Sequence, residues 1–253
     1  MSTSSSTPHR LKLGIFGANG RMGTRIRSLA TGAELASKVE VLATPGRGDS
    51  LDSLWNTDVV IDFSLPEASR ALAESALTQA LGGRTLPAFV VGTTGFSQEG
   101  KAAWSELSKQ TLVLLSANYS PGIQLLLEAL DSIGSLYKGL GFSAQLLDIH
   151  HIHKKDAPSG TALLLADTLD SHPVVRLPIE SRREGEVVGT HTLTLTGPGE
   201  KLVLTHEAEN RDIFARGAIL AALRVHEVSR EGLLKPEGIY SLRDVLRAGS
   251  LCR

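Results

Sequence analysis

The chain has 253 residues, 42% of them hydrophobic and 21% charged, which is enough apolar material for one large domain or two modest ones and excludes disorder, collagen and coiled coil. Lys and Arg number 26 against 27 Asp and Glu, so the net charge of -1 offers no global positive field for nucleic acid or an anionic membrane, and any anion specificity is local. No apolar run reaches the roughly 18 residues of a membrane-spanning helix, and the single cysteine, Cys252, reads as an inert thiol in a reducing, cytoplasmic setting.

The first ten residues, MSTSSSTPHR, read as a floppy leader without the apolar segment of a secretory signal. Short apolar runs at Leu11 to Phe16, Val39 to Thr44, Val59 to Ser64, Ala88 to Thr93 and Leu112 to Ser116 read as strands. Helical spacing fills Arg21 to Ala30, Pro66 to Leu81 and Ser97 to Gln110 between them. That alternation predicts a doubly wound α/β sheet. Ser120-Pro121 opens a helix-like run to Tyr137, and a strand-like stretch starts at Gln145. From Val174 to Glu209, alternating β-formers broken by Gly197-Pro-Gly199 predict an antiparallel sheet. Arg211 to Glu227 reads as a helix with one small-residue face, and Ser241 to Arg247 as a short helix.

Twenty-five glycines exceed the usual share of about 7%. Four of them, Gly14, Gly17, Gly20 and Gly23, fall at the turn from first strand to first helix. Gly17, Ala18, Asn19, Gly20, Arg21 and Met22 then form a tight turn whose backbone cradles a pyrophosphate at a helix N-terminus, predicting a dinucleotide cofactor. A NAD site normally carries an acid at the tip of the second strand; here Ala43-Thr-Pro-Gly-Arg47 has none. Arg47 and Arg21 suit a 2′-phosphate, favouring NADPH over NADH, unless Arg47 is only a solvated loop charge. The loops Gly92-Thr93-Thr94 and Ser116-Ala117-Asn118-Tyr119 follow the fourth and fifth strands, at the ligand-binding end of such a sheet.

The densest chemistry lies in Asp148-Ile-His150-His151-Ile-His153-Lys154-Lys155-Asp156-Ala-Pro-Ser159-Gly160-Thr161. In an uninterrupted strand His150 and Lys154 would stand about 13 Å apart on one face, so they cooperate only if the chain turns out of the sheet between them. Free N–H groups at Ser159, Gly160 and Thr161 would form an anion site at a helix start, and with the lysines and histidines they predict a carboxylate-bearing substrate and a group placed for proton transfer. Strand alternation puts His151 and His153 on one face and His150 on the other. A metal is not expected: His151-x-His153 has ligand-like spacing, but Lys154 and Lys155 repel a divalent cation and no carboxylate-rich partner segment appears.

At these residues the sequence resembles the dihydrodipicolinate reductase family. The resemblance spans nearly the whole chain and is carried by the glycine turn, Val60-Ile-Asp-Phe-Ser-Leu-Pro66, Val91-Gly-Thr-Thr-Gly-Phe96, Ala117-Asn-Tyr-Ser120, the His150-to-Thr161 string, Arg183-x-Gly-x-x-x-Gly-x-His191 and Arg211-x-x-Phe-x-x-Gly-Ala218. It implies NAD(P)H-dependent reduction of the dihydropyridine dicarboxylate derived from hydroxytetrahydrodipicolinate, in lysine and diaminopimelate biosynthesis. His150 and Lys154 match the family's proton-transfer residues, and His151, Gly160 and Thr161 its substrate-carboxylate contacts. It further implies a Rossmann-like dinucleotide-binding domain from residues 1–119 and 228–253. Residues 120–227 then form an α+β substrate and oligomerisation domain, with a mixed, largely antiparallel sheet that builds a homotetramer. Two departures stand out: the missing acid, with Gly46 about where it would be, and a short segment between Arg176 and Glu186. The competing reading is a nicotinamide-dependent sensor of the same fold without turnover.

Overall fold

A computed structural model describes residues 10–169 and 177–249. The leader up to residue 9, the stretch Val174 to Arg176 and Cys252 lie outside the described residues. The chain divides into two compact units, residues 1–119 with 215–253 and residues 120–214.

The first unit is a six-stranded parallel sheet. Its strands are β1 (Leu11–Phe16), β2 (Val39–Ala43), β3 (Val59–Asp62), β4 (Ala88–Val91), β5 (Leu112–Leu115) and β10 (Gly238–Tyr240), in the order β10-β5-β4-β3-β1-β2. Both faces are covered, which is why the strands read as continuous apolar runs. Leu13, Ile15, Ile61, Val90 and Leu114 pack against α1 (Arg21–Ala30) and α6 (Asp212–Glu231). Val60, Phe89, Val91 and Val113 pack against α2 (Pro66–Leu81) and α3 (Gln98–Leu107). The windings on either side of β1 run in opposite directions, so the loops after β1 and β3 diverge and open a crevice at the carboxyl edge.

The second unit stacks α4 (Pro121–Gly134) and α5 (Gly160–Leu169) on a four-stranded sheet ordered β7-β6-β8-β9. Its strands are β6 (Ser143–His150), β7 (Ile179–Arg183), β8 (Thr190–Gly197) and β9 (Glu200–Glu207). Only β6 and β7 pair in parallel; the other pairs are antiparallel, as the alternation predicts.

The second boundary falls at 214/215, not at the expected 227/228. From Ala215 onward the small-residue face of α6, with Ala218, Ala221 and Ala222, is buried in the core of the first unit. Strands β2 to β5 stop one or two residues short of expectation; after β3 the Asp62 carboxylate accepts the Ser64 N–H at 2.9 Å and turns the chain out of the sheet. The expected helix to Tyr137 ends at Gly134, and α6 continues past Glu227 to Glu231. Strand β10 carries no sequence signal: it is three residues long, and Gly238, with φ 137°, opens it. The last helix is α7 (Leu242–Arg247), capped by Ser241 and Asp244. Among the described residues no helix is long and apolar enough to cross a membrane.

Candidate functional site

The residues singled out in the sequence form one cluster in each unit. In the first, β1 delivers the chain to Gly17, which takes φ +81°; a Cβ there would lie 2.7 Å from the Phe63 carbonyl oxygen. A Cβ on Gly23 would come within 2.1 Å of the Gly17 carbonyl oxygen, so only glycine lets the first turn of α1 lie against the loop. Helix α1 starts at Gly20 with no side-chain cap and no acidic residue in its first turn, leaving its amide donors for a ligand.

Gly17, Gly20, Arg21, Met22, Arg47, Gly92, Thr93 and Thr94 line a single cavity of about 1070 Å³ together with the Phe63 to Pro66 loop. Ala18 is buried, and Asn19 and residues 116–119 fall outside that lining. Ser116 and Asn118 close a turn on each other, the Ser116 hydroxyl donating to the Asn118 carbonyl at 2.7 Å. Tyr119 is buried, its hydroxyl donating to the Val91 carbonyl at 2.9 Å and its ring 5.5 Å from that of Phe63, so it supports the floor instead of offering a ligand group. The cavity fits a dinucleotide: amides and two arginines where phosphate would sit, and backbone kept bare by glycine.

Two acids here hold supporting roles that the sequence alone does not assign. Asp49 lines the cavity, but its carboxylate accepts the Gly46 N–H at 2.8 Å and closes the loop carrying Arg47. Asp62 is fully buried and accepts hydrogen bonds from Ser64 N–H, from Thr93 Oγ1 at 3.1 Å and from Ser69 Oγ; Ser69 in turn receives the Trp104 indole N–H at 3.2 Å. Burial pushes the Asp62 carboxyl up, against the pull of those donors. The pattern fixes Thr93 and the Ser64 turn at the mouth of the crevice. Its signal in the sequence is a lone acid ending the apolar run Val59 to Ile61.

In the second unit β6 ends at His150 and the chain turns at once, Lys154 N–H donating to the His151 carbonyl at 3.1 Å. His151 and His153 are therefore not on a strand face; they sit in the turn with rings 6.2 Å apart. Burial, then the charge of Arg211, lowers the His151 pKa. Lys154 is held by Asp156, Nζ to Oδ2 2.9 Å, and Arg183 of β7 fastens the same turn by donating to the carbonyls of Lys154 and Asp156. Gly160 opens α5 with nothing where its Cβ would be, and Thr161 is half-buried beside it. The Ser159 N–H, expected free for substrate, instead donates to Asp148 Oδ2 at 3.0 Å, while its hydroxyl donates to Asp148 at 2.8 Å and caps α5 by accepting the Ala162 N–H.

Asp148 and His150 share the helix-facing side of β6, and the register sets His191 of β8 opposite Asp148 and His206 of β9 opposite His191. The N-cap serines of both helices reach this row. Ser159 Oγ lies 3.3 Å from His191 Nε2, and Ser120 Oγ lies 3.0 Å from His206 Nε2. Burial pushes the His191 pKa down to about 4, against the pull of Asp148. For Asp148 burial acts upward but is outweighed by the neighbouring His150 and the donors of Ser159, which hold the carboxyl well below the usual range.

Asp148, His150 and His191 bring three ligand-type atoms within 4.8 Å of one another, a carboxylate that the metal argument from sequence did not foresee. The set still does not suit a divalent cation. Both Asp148 oxygens already accept protein donors, and the Arg183 guanidinium lies 3.6 Å away.

Family models place the chain. One described as dihydrodipicolinate reductase, N-terminus, matches residues 11–119, and one described as dihydrodipicolinate reductase, C-terminus, matches residues 122–246. Relatives named 4-hydroxy-tetrahydrodipicolinate reductase include proteins of Xanthomonas axonopodis pv. citri, 35% identical over 95% of this chain and 99% of that protein, and of Bdellovibrio bacteriovorus, 36% identical over 94% and 96%. A dipicolinate-bound dihydrodipicolinate reductase from Paenisporosarcina sp. TG-14 superposes with TM-score 0.72 over 92% of this chain and 98% of that one. At 20% identity it speaks for the fold alone, as does a diaminopimelate dehydrogenase of C. glutamicum with TM-score 0.55, 11% identity and 94% of each chain covered. With both family models matched across nearly its whole length, the chain belongs to the dihydrodipicolinate reductase family of NAD(P)H-dependent oxidoreductases.

Proposed function

We propose that this enzyme reduces the dihydropyridine dicarboxylate derived from 4-hydroxy-tetrahydrodipicolinate to tetrahydrodipicolinate, in the cytoplasm, as a step of lysine and diaminopimelate biosynthesis. NAD(P)H, when bound, supplies the hydride. The observation that carries the reading is the fold of the His150-to-Thr161 segment: β6 ends at His150, the chain turns at once through Lys154, and α5 opens at Gly160.

The residues then divide the work. The amides of Gly160 and Thr161 and the side chains of His151 and Thr161 hold the carboxylates, a helix N-terminus being suited to anions. His150 gives the proton that accompanies ring reduction, and Lys154, steadied by Asp156, balances the charge that develops there. On the nucleotide side, the Gly17-to-Met22 turn takes the pyrophosphate, and Gly92, Thr93 and Thr94 the nicotinamide end, with residues 116–119 behind them. Arg21 and Arg47 take a 2′-phosphate, favouring NADPH; Asp49, the acid of the Arg47 loop that lines the cavity, is turned onto Gly46 N–H and away from a ribose role. The four-stranded sheet is the proposed homotetramer surface: the face opposite α4 and α5 carries Thr192, Thr194 and the exposed Val203.

Spectrophotometric oxidation of NADPH with substrate generated by the preceding synthase tests the reading. Turnover is expected. Nicotinamide binding without turnover would instead mark the chain as a sensor, and activity lost on chelation would mark a metal enzyme.

A further inference from the structure

We propose that Asp148 is a positioning residue for the proton-donating histidine: anchored by two strands and a helix start, it grips His150 through Nδ1 and leaves Nε2 as the nitrogen that meets substrate. This rests on the reductase reading above.

Asp148 is wholly buried, whereas the His150 side chain keeps 11% of its surface exposed. Asp148 therefore acts on a bound ring only through a neighbour. Its oxygens are held from several directions. Oδ1 accepts the Ser159 hydroxyl, and Oδ2 accepts the Ser159 N–H at 3.0 Å and the Ser181 hydroxyl at 3.2 Å, with Arg183 Nη1 3.6 Å away. A buried carboxylate so thoroughly held cannot shift, and for stability alone an apolar side chain of its size would serve as well or better.

What it offers is a fixed acceptor. His150 Nδ1 lies 3.0 Å from Oδ1 but off the line of a hydrogen bond, and no other group partners that nitrogen. A small rotation of the ring aligns them, the kind of tightening expected when a catalytic hydrogen bond forms around substrate. The other nitrogen is kept clear by glycine, since a Cβ on Gly189 would come within 2.9 Å of His150 Nε2. The ring thus faces Asp148 through Nδ1 and bare backbone at Nε2, with the His191 ring at a centroid distance of 5.3 Å.

A double-mutant cycle of Asp148→Asn and His150→Gln, read by steady-state NADPH oxidation, tests this. Asp148→Asn is expected to lower kcat about tenfold to a hundredfold, with substrate KM and the NADPH dissociation constant within about threefold of wild type. In the His150→Gln background the same change is expected to cost less than about threefold, because Asp148 then has nothing to position. Equal losses in both backgrounds, or a kcat unchanged by Asp148→Asn, would overturn the proposal. Should Asp148→Asn lose its cooperative urea transition, Ser159→Ala takes its place and must lower kcat, not KM, and only when His150 is present; any other result contradicts the proposal. Absence of turnover in the wild type would remove the reductase reading itself, and this proposal with it.

Discussion

Ser159 gives Asp148 two hydrogen bonds, its backbone N–H to Oδ2 at 3.0 Å and its hydroxyl to Oδ1 at 2.8 Å. The same hydroxyl accepts the Ala162 N–H, so one serine starts α5 and fixes the carboxylate next to His150. Helix start and strand end are thereby locked together, and the turn between them, carrying Lys154, has its two ends fixed.

His150→Gln keeps a polar side chain but removes the proton donor. Turnover is expected to fall about a hundredfold or more, the usual worth of a positioned general acid, while the NADPH dissociation constant stays within about threefold. Stopped-flow fluorescence for binding and steady-state kinetics for turnover separate the two, and undiminished turnover would remove His150 from the chemistry. Lys154→Ala is expected to lower kcat more than it raises substrate KM.

Arg47→Ala deletes one guanidinium at the edge of the nucleotide cavity. KM for NADPH is expected to rise about tenfold and KM for NADH to stay nearly unchanged, since only the former carries the charge that the arginine meets. Equal losses with both cofactors would show that Arg47 supports the loop instead of reading the phosphate.

His191 makes stability depend on pH. Its folded pKa of about 4 lies below the ordinary histidine value, so the unfolded chain binds the proton more readily than the folded one between those values. The stabilisation is complete above the unfolded pKa and is lost as pH falls toward the folded one. Between pH 7 and pH 5 this single group is expected to remove about 2 kcal/mol of unfolding free energy. Urea unfolding of wild type and His191→Asn at both pH values checks it: the variant should lose less on acidification, and a parallel loss would contradict the assignment.

Gly92→Ala places a Cβ where the Phe63 ring now lies, 2.2 Å from its nearest atom. Phe63 must swing into the nucleotide crevice or the loop must retreat. Either response is expected to cost about 1–3 kcal/mol and to weaken NADPH binding, measurable by thermal melting with and without cofactor.

Apart from β10, the strands and helices of the first unit were legible because a sheet buried on both faces writes itself as short apolar runs, and the glycine turn announces its own backbone demand. The second unit was legible as alternation that predicts antiparallel pairs; that its sheet is mixed came only from the family resemblance. The site's motifs were visible, but their supporting acids were not. Asp62 and Asp148 each look like one polar residue in an apolar stretch, and their meaning comes from partners far along the chain, Thr93 being 31 residues from Asp62 and Ser181 33 from Asp148. Strand spacing also misplaced His151 and His153, because nothing local shows that β6 ends at His150. The same blindness put the domain boundary in α6 at residue 227: the helix is continuous, and only the packing of its alanine face shows where the first core begins.

The most direct test is side-by-side steady-state kinetics with NADPH and NADH, using substrate freshly made by the synthase that precedes this step. The account predicts oxidation of both nicotinamides that depends on substrate, persists in the presence of a chelator and has the higher kcat/KM with NADPH. Nicotinamide binding without any substrate-dependent oxidation would contradict it.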